Sequence, residues 1–191
     1  MAKTTAYQQH KSRWKGCRLC QLCDQRKRVC LARGSVPATV LFVGEAPGAS
    51  EDVTGKPFMG PAGKLLDLII ERSEPTLLPE DHYTYALTNL VGCFPREAKQ
   101  DPDSPNEPPD WAIESCAPRL EELARLCQPE LVVAVGKLSK KWLKLLFPKG
   151  LGEQDGISLV HPAAILRTDV SQRGLAIQRS IVTLADAVGE F

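Results

Sequence analysis

An unbroken run, Thr39-Val40-Leu41-Phe42-Val43, stops at Gly44-Glu45-Ala46-Pro47-Gly48, and apolar residues then return at helical spacing through Leu65, Leu66, Leu68, Ile69 and Ile70. A continuous apolar run bounded by glycine reads as a strand buried on both faces, and the spacing after it predicts a helix over 61–73. The same alternation continues along the chain. Strands are expected at 83–90, 131–135 and about 157–160, and helices at 110–126, 137–146 and 172–188. This order predicts an α/β fold, a three-layer α/β/α sandwich around a four-stranded parallel sheet, preceded by a cysteine-bearing helical N-terminus. With 191 residues and 43% hydrophobic content, the expectation is one domain, 1–191, with a substantial core and no internal repeat.

In open α/β sheets, ligands bind beyond the carboxyl ends of the strands. The segment after the first strand carries Glu45, Glu51, Asp52 and Phe58 among Gly44, Gly48, Gly55, Gly60 and Gly63. It lacks both the GxGxxG spacing of a dinucleotide fold and the Gly-Lys-Ser/Thr ending of a P-loop, which argues against a nucleotide phosphate site. Thr88-Asn89 closes the second strand, and His161-Pro162 follows the fourth. Each of these polar residues is therefore expected at the same sheet edge. His10 and His82 have no comparable setting.

Seven cysteines without a signal peptide or long apolar segment point to an intracellular, cytoplasmic chain whose thiols serve metal binding or reactivity rather than disulfides. Cys17-x2-Cys20 has ligand spacing, but Cys23 and Cys30 follow so closely that spacing leaves the ligand set open. Four cysteines would suit an iron-sulfur cluster or zinc equally well. Cys127 reads as a small buried hydrophobe. Residues 1–33 hold nine of the 24 basic residues and one of the 23 acidic residues, an asymmetry suited to phosphate contacts. Lys140, Lys141, Lys144 and Lys149 read as helix surface.

Gly44 to Leu66 resembles the first motif of the family-4 uracil-DNA glycosylases, the iron-sulfur branch of that superfamily. Thr88-Asn89 leading to Cys93 and Pro95 resembles a second motif, and His161-Pro162-Ala163-Ala164-Ile165-Leu166-Arg167 the last. The likeness covers about residues 14–168 in the family's order. It implies a monofunctional hydrolase that flips uracil out of DNA, cleaves its N-glycosidic bond and leaves an abasic site. Glu45 and His161 take the catalytic positions in that pattern. Ala46, Glu51, Phe58 and Asn89 take the base-binding positions, with Glu51 at the C5 edge, and Leu166 and Arg167 belong to a DNA-intercalating loop.

The resemblance also selects Cys17, Cys20, Cys93 and Cys116 as ligands of a 4Fe-4S cluster, with zinc the alternative occupant, and leaves out Cys23 and Cys30. Single- and double-stranded DNA containing uracil are the implied partners of a monomer that needs no membrane. The residue types agree with such chemistry. Phe58 offers a stacking face, and the Asn89 amide can pair with O4 and N3-H of uracil while opposing cytosine. Gly92 departs from the pattern where a lysine is common, the interval between Leu146 and His161 is short, and the interval from Cys93 to Cys116 is long and proline-rich. Ala46 stands where a branch that becomes covalently trapped has glutamine. Two alternatives are another deaminated or modified base as target, and a non-catalytic iron-sulfur DNA-binding protein.

Overall fold

The structure, a computed structural model, describes residues 5–74, 83–96, 107–151 and 156–189. His82 and most of the proline-rich interval, 97–106, lie outside them. The chain runs α1 (Ala6–Trp14), a 3₁₀ turn (Gln21–Asp24), β1 (Arg33–Gly34), β2 (Val40–Gly44), α2 (Ala49–Thr54), α3 (Pro61–Ser73) and β3 (Tyr85–Asn89). It continues through α4 (Asp110–Cys127), β4 (Leu131–Val135), α5 (Lys137–Leu146), β5 (Ile157–Leu159), α6 (Pro162–Arg167) and α7 (Val170–Val188).

Strand order is β1-β3-β2-β4-β5, with β3, β2, β4 and β5 parallel as the alternation predicts. A fifth strand corrects the expected count. Arg33 and Gly34 pair antiparallel with Leu87 and Ala86 at the edge, and two residues are too short to leave a periodic signal. The N-terminal helix ends at Trp14, so the first cysteines follow it in irregular chain and the 3₁₀ turn.

The strands alternate their side chains between two cores, as a pleat requires. Leu41, Val43, Ala86 and Val132 pack with Ile113, Leu120 and Leu123 of α4 and Trp142 of α5. Val40, Phe42, Leu87 and Val133 pack on the other face with Leu66, Ile69 and Ile70 of α3 and Leu184 of α7. Cys127 is fully buried at the end of α4, as its sequence setting predicts, and the lysines of α5 are exposed. Among the described residues no helix is long and apolar enough to cross a membrane.

β2 lies at the centre, and the chain passes from it to β3 on one side before crossing to β4 on the other. That reversal opens a crevice at the carboxyl ends of the strands. Glu45 follows β2, Asn89 ends β3, Gly136 follows β4, and His161 comes two residues after β5.

Candidate active site

The strand ends are tied together by backbone bonds. Leu90 N–H donates to Gly44 O (2.8 Å), Val91 N–H to Glu45 O (3.3 Å) and Gly136 N–H to Leu159 O (3.0 Å). Two glycines let the polar side chains close in. A methyl group on Gly44 would overlap Asn89 Oδ1 and lie 2.5 Å from Phe58 Cζ, so the aromatic ring and the amide meet over that bare Cα. Gly136, at φ 106°, takes a conformation that side chains resist, and a methyl there would overlap Glu45 Oε1 and lie 3.2 Å from His161 Cβ. Glu45 and His161 thus converge on Gly136. Sequence reading missed this glycine, although Val135-Gly136 repeats the strand-then-glycine signal of Val43-Gly44.

Replacing Gly44 by alanine is expected to push Phe58 and Asn89 apart, costing about 1–3 kcal/mol of stability and weakening ligand binding. Denaturant unfolding midpoints beside ligand affinity would check this. Unchanged values for both would contradict the packing.

Burial pushes the Glu45 carboxyl up to about 7, and Glu107 adds to the rise. The Leu138 backbone N–H, at the start of α5, and Arg167 pull it back. Burial, with help from Arg167, holds His161 down at about 4, so its ring is neutral at physiological pH. His161 Nδ1 accepts the Ala163 N–H at 3.2 Å, which places the ring proton on Nε2. The site therefore pairs a desolvated carboxyl with a neutral imidazole that has one N–H to donate. Among the described residues neither His161 Nε2 nor the Asn89 amide has a hydrogen-bond partner.

The loop between β2 and α3 is held from within. Glu51 Oε1 accepts Met59 N–H and Gly60 N–H, each at 2.7 Å, and Oε2 accepts Gly48 N–H at 2.9 Å. The glutamate expected against the base thus has both carboxylate oxygens engaged by the loop backbone, an arrangement tied to the short helix α2 that sequence reading did not anticipate. Arg33 donates to Pro57 O (3.1 Å) and Phe58 O (3.2 Å) and pairs with Asp67 at 2.7 Å. These bonds hold Phe58 at φ 56°, unusual for a bulky side chain. Gly63 has to be glycine because any Cβ would run into the Phe58 carbonyl. Ala46 is half-buried against the α4-side core.

Fully buried Asp52 joins this loop to the cysteine segment. It accepts Lys27 N–H at 2.7 Å and pairs with Arg96 at 2.6 Å. Arg13 pairs with Glu122, Arg18 with Asp24, and Arg26 Nη2 donates to Cys17 O at 2.5 Å. Of the basic residues read as a phosphate-binding arm, Arg26 and Arg33 are thus engaged inside the fold, whereas Arg13 and Arg18 pair at the exposed surface.

Cys93 is buried, and its thiol is pushed up to about 12 by burial, opposed by Arg26 and raised further by Cys116, Cys20 and Cys17. Cys116, Cys20 and Cys17 thus lie near enough to act on the Cys93 thiol, and Cys23 acts on Cys20 beside Cys116 and Cys17. Cys116 Sγ accepts N–H groups from Gly92 and from Arg119 Nε, both at 3.4 Å, a setting suited to an anionic thiolate ligand. Cys30 instead donates its S–H to Glu51 O at 3.1 Å, and Cys23 donates to Asp24 Oδ1 at 3.3 Å. Among the described residues no group of three or more His, Cys, Asp or Glu side chains stands in a metal-holding arrangement. The donor set of four thiols, with N–H groups aimed at one sulfur, nonetheless fits a sulfur-ligated group.

The stretch after His161 is helix α6, which corrects the expected loop. The Nδ1 acceptor and Pro162 start the helix, a local signal that its six-residue length hides from periodicity. Ile165 is fully buried, Leu166 is half-buried against the α3-side core, and Arg167 is exposed.

Residues 32–180 match the sequence profile of the Uracil DNA glycosylase superfamily. The chain is 34% identical over 170 residues to a type-4 uracil-DNA glycosylase of Pyrobaculum aerophilum, covering 80% of this chain and 81% of the relative. Against the enzyme of the same description from Thermotoga maritima, identity is 30% over 166 residues, with 81% and 80% covered. The similarity to the Saccharolobus solfataricus protein so described is 33% over 127 residues, 66% of this chain. The chain spans about half the length of that relative, 54%.

Proposed function

This chain belongs to the uracil-DNA glycosylase superfamily, and on that footing we propose that it hydrolyses the N-glycosidic bond of uracil in DNA and leaves an abasic site for base-excision repair. The observation that carries the reading is the meeting of Glu45 with His161 over Gly136, beside that of Phe58 with Asn89 over Gly44.

A uracil rotated out of the stack lies on the Phe58 ring, and the Asn89 amide pairs with O4 and N3-H. The Ala46 backbone and the Glu51-braced loop complete the base pocket. As the C1′–N1 bond breaks, positive charge grows on the sugar and negative charge on uracil O2. His161 donates its Nε2–H to O2 without transferring a formal charge, since its ring stays neutral. The Glu45 carboxylate faces the sugar and takes a proton from the water whose oxygen bonds to C1′. Uracil departs as an anion and is protonated from solvent. Leu166 and Arg167, at the end of α6, supply a wedge and a cation for the flanking phosphate.

Cys17, Cys20, Cys93 and Cys116 would hold a 4Fe-4S cluster, with zinc the less favoured occupant. The cluster's contribution when bound is to cross-link the N-terminal segment, the end of β3 and α4. In this reading residues 1–191 act as one domain, a cytoplasmic monomer that works on single- and double-stranded DNA.

The test is a uracil-bearing oligonucleotide incubated with the protein and then treated with alkali. Strand scission at uracil only after alkali is the expected result, while scission without alkali would overturn the monofunctional assignment and intact strands would overturn the activity. The pH dependence follows from Glu45. Its carboxyl is raised to about 7 and must be ionised to act, so kcat/KM is expected to fall about tenfold per unit below that value. His161, lowered to about 4, adds no limb between 5 and 8. A pH-rate profile flat across that window would contradict the role of Glu45.

A further inference from the structure

Arg119 lies in α4, three residues after Cys116, and is 1% exposed. Its Nε–H donates to Cys116 Sγ (3.4 Å), Nη1 to Thr88 Oγ1 (3.1 Å), and Nη2 to Asn89 O (2.5 Å) and Leu90 O (3.1 Å). Among the described residues no carboxylate pairs with it. Guanidinium keeps its proton in proteins, and a buried charge demands a counter-charge as well as hydrogen bonds. The oxygen acceptors here are all neutral, and the Cys116 sulfur would carry negative charge as a cluster ligand. Gly92 runs beside the group: a methyl there would crowd Val29 Cγ1 (3.1 Å) and Cys30 O (3.2 Å) and sit in ordinary contact, 3.5 Å, with Arg119 Nε.

The guanidinium therefore bridges two parts of the protein that the sequence separates. One end touches a cysteine assigned to the cluster. The other grips the carbonyls of Asn89 and Leu90 at the end of β3, where the amide that reads the base is mounted. Buried Thr88, which donates its hydroxyl to Leu31 O at 2.6 Å, completes the link to the segment that follows the N-terminal cysteines.

We propose that Arg119 is a positioning residue that supplies the buried counter-cation of the four-cysteine cluster and fixes the backbone of Asn89, joining metal ligation to base recognition. The proposal rests on the glycosylase reading and on the cluster assignment above. It makes α4 more than a packing helix, because the residue holding the base reader in place draws its own compensating charge from the cluster.

The experiment uses the full chain purified anaerobically as wild type, Arg119→Met and Arg119→Lys. It measures iron and acid-labile sulfide, the cluster's reduction potential, and kcat and KM on uracil-bearing DNA. Arg119→Met removes a cation that favours the more negative, reduced cluster, so its potential is expected to move in the negative direction. KM is expected to rise about tenfold, with a smaller change in kcat. Arg119→Lys keeps the charge but cannot span the sulfur and both carbonyls, so the potential stays near wild type while KM still rises.

An unshifted potential in a folded, iron-bearing Arg119→Met protein overturns the counter-cation role. Should that variant fail to fold, Arg119→Lys decides, and an unchanged KM overturns the positioning role. Wild-type protein without iron and sulfide overturns the cluster assignment and the inference together. Iron-bearing wild type that releases no uracil sinks the glycosylase reading instead, and the potential shift still decides the counter-cation role.

Discussion

Replacing His161 by alanine is expected to lower kcat on uracil-bearing DNA by about 10²–10³-fold, the usual cost of losing one donor aimed at a developing oxyanion. The expectation rests on tautomer and charge. His161 Nδ1 is occupied by the Ala163 N–H, so the ring offers Nε2–H, and burial keeps it neutral well below physiological pH. A neutral donor stabilises negative charge on O2 without first having to lose a proton. Single-turnover kinetics of base release would check the effect, since they separate chemistry from product release. A variant within a few-fold of wild type would remove His161 from the mechanism. The same substitution deletes the Nδ1 acceptor that starts α6, so circular dichroism should accompany it.

Asn89→Asp is expected to reverse the preference of the pocket rather than merely weaken it. Asparagine presents a donor to uracil O4 and an acceptor to N3-H, whereas an ionised aspartate presents only acceptors. Against uracil it places a carboxylate oxygen beside O4, and release is expected to fall at least about 10²-fold, the scale at which unpaired buried polar groups exclude a ligand. Against cytosine the carboxylate can accept from the exocyclic amine. Cytosine release should therefore rise from background, in an assay of matched oligonucleotides carrying uracil or cytosine. Undiminished uracil release by Asn89→Asp would mean that residue 89 does not read the base.

The three long strands were legible because burial on both faces leaves continuous apolar runs at 40–44, 85–89 and 131–135, each ending where a polar residue or glycine begins the crevice. The short β5 was legible too, but β1, α2 and α6 were not. β1 has two residues, and α2 and α6 have six each; they exist because Arg33, Glu51 and His161 make particular bonds, not because their sequences repeat a period. Glu45, Phe58, Asn89 and His161 were found through motif order, and the structure brings them to one sheet edge.

The structural roles of Arg33, Asp52 and Arg119 were hidden for one reason. A charged residue in a sequence reads as solvent-exposed unless its partner is known, and each of these partners lies many residues away. The cysteines show the same limit, since spacing leaves the ligand set open among Cys17, Cys20, Cys23 and Cys30, and the bond that engages the buried Cys30 thiol runs to Glu51 O, 21 residues away.

Most direct of all is base release by anaerobically purified protein from single- and double-stranded oligonucleotides carrying uracil, hypoxanthine, xanthine or a modified pyrimidine, in parallel with Glu45→Ala and His161→Ala. The account predicts alkali-labile sites at uracil that both substitutions suppress. Release confined to another base would contradict the assigned specificity, and uracil release that survives both substitutions would contradict the assigned chemistry.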